Sequence, residues 1–313
     1  MNLNDTLAIL FGGASSLSRK SFIAAVAALS VTGVASAAAI GVNYVDNGND
    51  GVQNGAADAL GSAEVAGVPG YAQPNWNNLG RWGNPTFLND SFGVVSGASV
   101  AWDSANTWNS GVGTSTPNNK LMTGYLDATG QPNNPASPYS GWDNANKPDA
   151  YVTGLSGWLA GQGALSYSVL IYTDGDATEG RIGEYWLQNA SGSDFGALTL
   201  SSDLTSHIFA KDSANFSGTF IQVPGTANSV GTAVDGNYIL FTGLTADSFL
   251  MRTEEQTFRS QINGFQIVAE VPEPGSLALL GLGGLSFVLS RRRRCCADAG
   301  VASPATTSLG LDL

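Results

Sequence analysis

The chain has 313 residues, is rich in glycine (40) and sparingly charged (12%), and has a net charge of −12. Residues 38 to 271 hold seven basic side chains (Arg81, Lys120, Lys147, Arg181, Lys211, Arg252, Arg259) against 21 acidic ones. An acidic body of this kind excludes nucleic acid as a partner, since phosphate recognition needs clustered cations. The only cysteines, Cys295 and Cys296, are adjacent and near the C-terminus, so no disulfide framework can staple the body.

The first segment, 1–37, reads as a secretory signal peptide. Arg19-Lys20 is a basic n-region, Phe22 to Val34 an apolar h-region predicted to be helical, and Ala35-Ser36-Ala37 an A-x-A cleavage site set by Ala35 and Ala37. The export machinery is therefore an expected partner.

Residues 38–270 are long enough for one all-β domain. Helical periodicity is almost absent there. Short β-branched and aromatic runs closed by turn residues recur instead, which predicts strands. They are expected near Ile40–Val45, Ala98–Trp102, Leu121–Leu126, Ala150–Thr153, Ser166–Thr173, Ile182–Leu187, Phe195–Leu200, Phe216–Val223, Tyr238–Thr242, Phe249–Arg252 and Ile262–Val268. Alternation in Tyr167 to Tyr172 and Phe216 to Val223 predicts half-buried strands, as in antiparallel sheets. The expected fold is an all-β, antiparallel β-sandwich or jelly roll. Asp46 to Phe92, Asp103 to Asn119 and Asp127 to Lys147 read as long loops at its ends, where binding surfaces usually sit.

No catalytic signature appears. No G-x-S-x-G surrounds a serine, the single histidine is His207, and no H-x-x-x-H pair is present, so the body is expected to be non-catalytic and to need no cofactor. Calcium is the one candidate ion. Asp174, Asp176 and Glu179 crowd three carboxylates into one turn, and carboxylates that close attract a hard cation; Asp46 to Gly51 has only the opening of a calcium loop, with Gly48 and Ala57 where ligands belong. Tryptophans offer a second chemistry, because sugar rings stack on exposed aromatic faces. Trp102, Trp108 and Trp142 are the candidate ligand platform, against the plainer reading of core plugs.

The C-terminal segment 271–294 joins Pro272-Glu273-Pro274, an apolar run from Leu277 to Leu289, and Arg291, Arg292, Arg293 and Arg294. The prolines hold their neighbours extended. The apolar run predicts a short transmembrane helix, at 13 residues below the roughly 17 to 25 that span a bilayer, and the arginines act as a cytoplasmic stop. Residues 295–313 are expected to be a disordered cytoplasmic extension. This order resembles a PEP-CTERM sorting tail, found on exported proteins of Gram-negative bacteria. The resemblance implies an exosortase-type membrane protease as partner, cleavage near Pro-Glu-Pro, transient anchoring, and a final place at the cell surface or outside it.

Short runs in the body, among them Glu64 to Val68, Asn75 to Asn78, Leu121 to Asp127, Tyr172 to Asp176, Phe216 to Phe220 and Ile262 to Val268, resemble a class of bacterial exported domains that carry such tails. The closing strand is similar to that of galactose-binding-like jelly rolls. These resemblances imply an exported surface or extracellular-matrix protein that binds envelope or extracellular polysaccharide. A structural coat or biofilm component without a specific ligand is the first alternative, and a glycan-active hydrolase the second.

Overall fold

The computed structural model describes residues 37–45, 55–104, 106–127, 147–176, 180–193, 195–257 and 259–271. The signal segment through Ser36, the sorting segment from Pro272 onward, Trp142, Glu179 and the 46–51 loop lie outside the described residues. Compact packing delimits a unit at Ser36–Val271.

Strands dominate. In chain order they are β1 (Ala39–Tyr44), β2 (Asn77–Leu79), β3 (Gly83–Asn89), β4 (Val95–Asp103), β5 (Asn106–Asn109), β6 (Gly124–Asp127), β7 (Asp149–Thr153), β8 (Ser166–Tyr172), β9 (Arg181–Ser191), β10 (Thr199–Asp203), β11 (Ile208–Asp212), β12 (Val234–Asp235), β13 (Tyr238–Leu244), β14 (Phe249–Thr257), β15 (Gln261–Ile262) and β16 (Gly264–Glu270). Two short helices interrupt them, α1 (Pro117–Leu121) and α2 (Leu155–Gln162). One sheet runs β13-β8-β16-β1-β2, a second β12-β11-β9-β14-β7-β4-β3 with β10 on β9, and a small third β15-β6-β5. Pairing is antiparallel except at β1·β2 and β11·β12, which are parallel.

The first two sheets form the expected sandwich. Val42, Val169, Ile171, Phe265 and Ile267 face Val100, Trp102, Val152, Leu187, Phe249 and Met251 in one core, and Tyr167 stacks on Phe249 at 6.1 Å. The first sheet is not half-buried as its alternation predicts. Leu170 and Tyr172, on its outer face, lie under Leu60, Val68, Trp76 and Phe216, so loop residues supply a second apolar layer.

Several elements depart from the sequence-based expectation. Phe216–Val223 is not a strand. Gly218 has φ +94°, and the two phenylalanines turn to one cluster, Phe216 meeting Phe220 at 4.9 Å and Phe220 meeting Tyr172 at 5.6 Å. Side-chain oxygens take part of its backbone, Phe216 N donating to Asp174 and Ile221 N to Asn237, and only its end touches β13, where Gln222 forms an isolated bridge with Tyr238. Leu121 closes α1, whose Thr116 cap accepts from Asn119 N at 3.1 Å. The expected Phe195–Leu200 strand opens as a 3₁₀ turn and pairs only from Thr199. β2, β3 and β5 lie inside the stretches read as loops.

Register gives the sandwich two distinct ends. β1 begins where Ala39 meets Val268, and β16 finishes where Glu270 meets Ser166. Ala37 and Val271, the first and last described residues, therefore sit at one end. The β3–β4 turn joins them there, since Ser91 N donates to Ala39 O at 2.7 Å. The opposite, distal end gathers Tyr172 opposite Gly264, Asp103 opposite Asp149, and Arg181 opposite Asp212.

Candidate functional site

The distal end holds a concentration of buried acids. Asp174 follows β8 and is 1% exposed. Its N–H donates to Asn263 Oδ1 at 2.6 Å, and its Oδ1 accepts from Phe216 N at 2.9 Å. No hydrogen bond closes on its Oδ2; the nearby Ser110 hydroxyl, which donates to Met122 O at 2.7 Å, stands close enough to favour the ionised carboxylate. Burial, then the charge of Asp212, pushes the Asp174 carboxyl up to about 8, against the opposing pull of Phe216 N–H and Ser110.

Asp212 comes from the end of β11, 38 positions later. Its Oδ2 accepts from Gly175 N at 2.9 Å and Gln261 Nε2 at 3.0 Å. Gly175 permits that approach, since a Cβ there would stand 2.9 Å from the same oxygen. Burial raises Asp212 to about 6, and the Gly175 N–H and Arg181 limit the rise. Asp174, Asp212, Ser213, Asn215, Phe216 and Asp235 line a cavity of about 320 Å³, and Ser213 Oγ is also without a hydrogen-bond partner.

Beside this cavity, Asp127 of β6 is fully buried and meets Arg259 at 3.0 Å. Burial carries it to about 7, with Arg259 opposing. Asp149 of β7 is raised to about 7 by the same cause, opposed by Arg252 and Lys147. Asp176 behaves differently. Partial burial raises its carboxyl, but Arg181 and the Tyr125 hydroxyl outweigh this and hold it below the usual carboxylate range.

The expected calcium trio is thus divided. Asp174 and Asp176, separated only by Gly175, make separate hydrogen bonds, and Glu179 lies outside the described residues. Among the described residues no group of three or more His, Cys, Asp or Glu stands together as a metal cluster. The residue that meets Asp174 is Asp212, and nothing local in the sequence announces it.

The tryptophan platform is also redistributed. Trp102 is fully buried in the main core, its Nε1 donating to Gly80 O at 2.7 Å, so it plugs the sandwich and presents no face to a ligand. Trp76, Trp158 and Trp186 are buried too. Trp186 is covered by the His207 ring, stacked at 4.5 Å and 9°, and by Arg252. Trp108 on β5 is 49% exposed, next to Asn106 and Asn109 and opposite Tyr125. Trp142 is outside the described residues. His207 holds Glu184 on Nδ1 and Asp203 on Nε2, which leaves no ring nitrogen to take a proton from a nucleophile.

The described residues contain no helix long and apolar enough to cross a membrane, and the segment that bears on membrane attachment begins at Pro272. Fold and ends together define a β-sandwich body whose first and last described residues, Ala37 and Val271, lie at one end. The C-terminal segment is identified by comparison: residues 270–294 match the PEP-CTERM protein-sorting motif. The chain therefore carries the address of an exported protein that is held at the membrane and processed by an exosortase. Comparison with curated proteins and with solved structures returns no match.

Proposed function

We propose that the chain is a non-catalytic protein of the cell surface or extracellular matrix, delivered by its sorting tail, whose distal end binds polysaccharide. The observation that carries the sorting half is the match at 270–294. The binding half is supported by Trp108, whose ring on β5 is half-exposed, with Asn106 two positions before it on the same strand face. A flat apolar face bordered by hydrogen-bonding groups suits a pyranose ring. β5 begins three positions past the distal end of β4, so this ring lies away from the end where the tail departs.

A hard cation is a second element of this reading, favoured by the unpartnered Asp174 Oδ2 and Ser213 Oγ on one cavity with Asp212. Oxygen-only ligands select calcium or magnesium rather than zinc. The cation would sit between Asp174 and Asp212 instead of between Asp174 and Asp176.

The test is retention of the mature protein on envelope and extracellular polysaccharides isolated from its host. Retention that Trp108→Ala abolishes, with an unchanged circular dichroism spectrum, supports binding. Absence of retention on every fraction assigns the protein to the structural-coat alternative.

A further inference from the structure

Eleven large apolar side chains remain well exposed among the described residues, and they are not evenly spread. Six of them, Phe87, Phe92, Val94, Val95, Leu165 and Val271, belong to segments at the tail end. Phe92 and Val94 form the β3–β4 turn, which Ser91 stitches to Ala39. Leu165 immediately precedes Ser166, the partner of Glu270, and Val271 is the last described residue before Pro272. β8, β16 and β1 are consecutive neighbours in their sheet, so Leu165, Val271 and the turn share one rim within a few strand spacings of about 4.8 Å each.

The charge around this rim is depleted and internally satisfied. Ser91 to Gly97 and Leu155 to Leu165 contain no charged residue, and no lysine or arginine occurs in 86–99, 154–170, 239–249 or 264–271. The carboxylate of Asp90 is turned inward, accepting from Phe92 N at 2.9 Å and Val94 N at 3.1 Å. Asp247 accepts from Ser156 N at the start of α2, and Glu270 from Ser166, Ser168 and Gly243 N. A cluster of exposed apolar side chains on one rim, poor in charge, suits a contact site.

Chain length identifies what it contacts. From Val271 to Leu277, where the apolar run of the tail begins, there are six residue steps, a reach of at most about 20 Å. The headgroup zone takes about 5–8 Å of that reach. The tail end is therefore tethered within about 15 Å of the headgroup surface while the tail is held.

We propose that this rim is a membrane-docking surface: before cleavage, Phe87, Phe92, Val94, Val95 and Leu165 seat on zwitterionic lipid, and the distal cavity is aimed away from the membrane. The inference rests on the sorting reading and adds a geometry to it. Zwitterionic rather than anionic lipid is specified because the rim carries no lysine or arginine to meet anionic headgroups, the Ala38 ammonium left by signal removal being its single cation. Docking would present Pro272-Glu273-Pro274 at the membrane surface, where a membrane protease works.

The Cys-free body makes the test direct. The full chain after signal removal, with Cys295 and Cys296 replaced by serine, is reconstituted in zwitterionic phosphatidylcholine–phosphatidylethanolamine vesicles. An environment-sensitive fluorophore is placed at F92C, L165C or, as distal control, S217C. Flotation with the vesicles reports the tail, and quenching by brominated lipid reports docking. The expected result is a blue shift and quenching at positions 92 and 165 but not at 217, with quenching at 165 lost in F87S/F92S/V94S/V95S while flotation persists. Chains that float yet show position 165 as water-exposed as 217 overturn docking and leave the sorting reading intact. Chains that fail to float overturn both. A blue shift without lipid that grows with protein concentration overturns docking in favour of a second copy of the chain.

Discussion

The carboxamide of Asn77 pairs with the backbone of Asn89 on both sides: Nδ2 donates to Asn89 O at 2.9 Å, and Oδ1 accepts from Asn89 N at 2.9 Å. Asn77 lies on β2, the edge of the five-stranded sheet, and Asn89 ends β3, the edge of the eight-stranded one. Asn77 Nδ2 also donates to Gly41 O at 2.8 Å. One side chain thus substitutes for a strand along the open seam of the sandwich and blunts two edges that would otherwise offer free pairing groups.

Asn77→Ala removes three hydrogen bonds at once. Each contributes about 0.5–1.5 kcal/mol, and the exposed backbone groups of Asn89 can recover bonds to water. The expected loss is about 1–2 kcal/mol, read as a lower urea midpoint at unchanged slope. An unchanged midpoint would show that the seam is held by the core alone.

His207, between β10 and β11, ties Glu184 of β9 to Asp203 of β10. Burial pulls its pKa down, but Glu184 and Asp203 outweigh burial and leave it above its ordinary value. The folded state then binds the proton more tightly than the unfolded one. The resulting stabilisation is complete below the unfolded value of about 6.5 and is lost as pH rises through the folded one. Histidine NMR titration should place the midpoint above 6.5, and His207→Gln should remove this contribution to the pH dependence of the melting temperature.

The strands that run through mid-sheet are legible in the sequence, because their residues are apolar on both faces or alternate cleanly, as in Val169-Leu-Ile171 and Phe249-Leu-Met251. The edges are not. β2 is three residues whose pairing depends on an asparagine side chain, and β3 contains Pro85. Phe216 to Val223 shows the reverse failure. Its alternation is genuine, but Gly218 and the aromatic cluster over Tyr172 make most of it a cover for the sheet, with one bridge, Gln222 to Tyr238, at the sheet edge. Half of the buried acid pair was visible as Asp174. Its partner Asp212 reaches it only through the β9–β11 pairing, a contact that no local pattern encodes.

The buried acids predict an unusual pH profile. Asp174, Asp127, Asp149 and Asp212 are raised to about 8, 7, 7 and 6, so between about pH 4 and 8 the folded state holds more protons than the unfolded one. Stability is full below the unfolded carboxyl values and falls as pH rises through the folded ones. The melting temperature should be higher at pH 5 than at pH 8.5, and Asp174→Asn, which mimics the protonated form, should raise it at pH 8.5. Calcium should act in the opposite window, since it binds the ionised pair: a rise in melting temperature at pH 8.5, smaller at pH 5, and absent in Asp212→Asn. At a hundredfold excess over the dissociation constant, one site adds about 2.7 kcal/mol. Equal melting curves with calcium and with chelator at pH 8.5 would remove the cation.

The tail carries the last prediction. Val271 closes the described body one residue past β16, and Pro272 and Pro274 each lack an N–H that a neighbouring strand could accept. A protease needs an accessible, extended substrate. The apolar run after it, 13 residues from Leu277 to Leu289, is shorter than a comfortable span and is backed by Arg291 to Arg294 on the far side. An anchor built this way holds the body long enough to be cut. The mature protein in its own host should therefore have a mass corresponding to a start after Ala37 and an end near Pro272-Glu273-Pro274. Replacing those three residues by alanine removes the Pro-Glu-Pro motif but leaves the apolar run and the arginines, so the variant should accumulate in the membrane fraction uncut. A wild-type protein that persists with residues 277–313 attached would mean that the motif is present but not processed, and the body would then be a permanently anchored one.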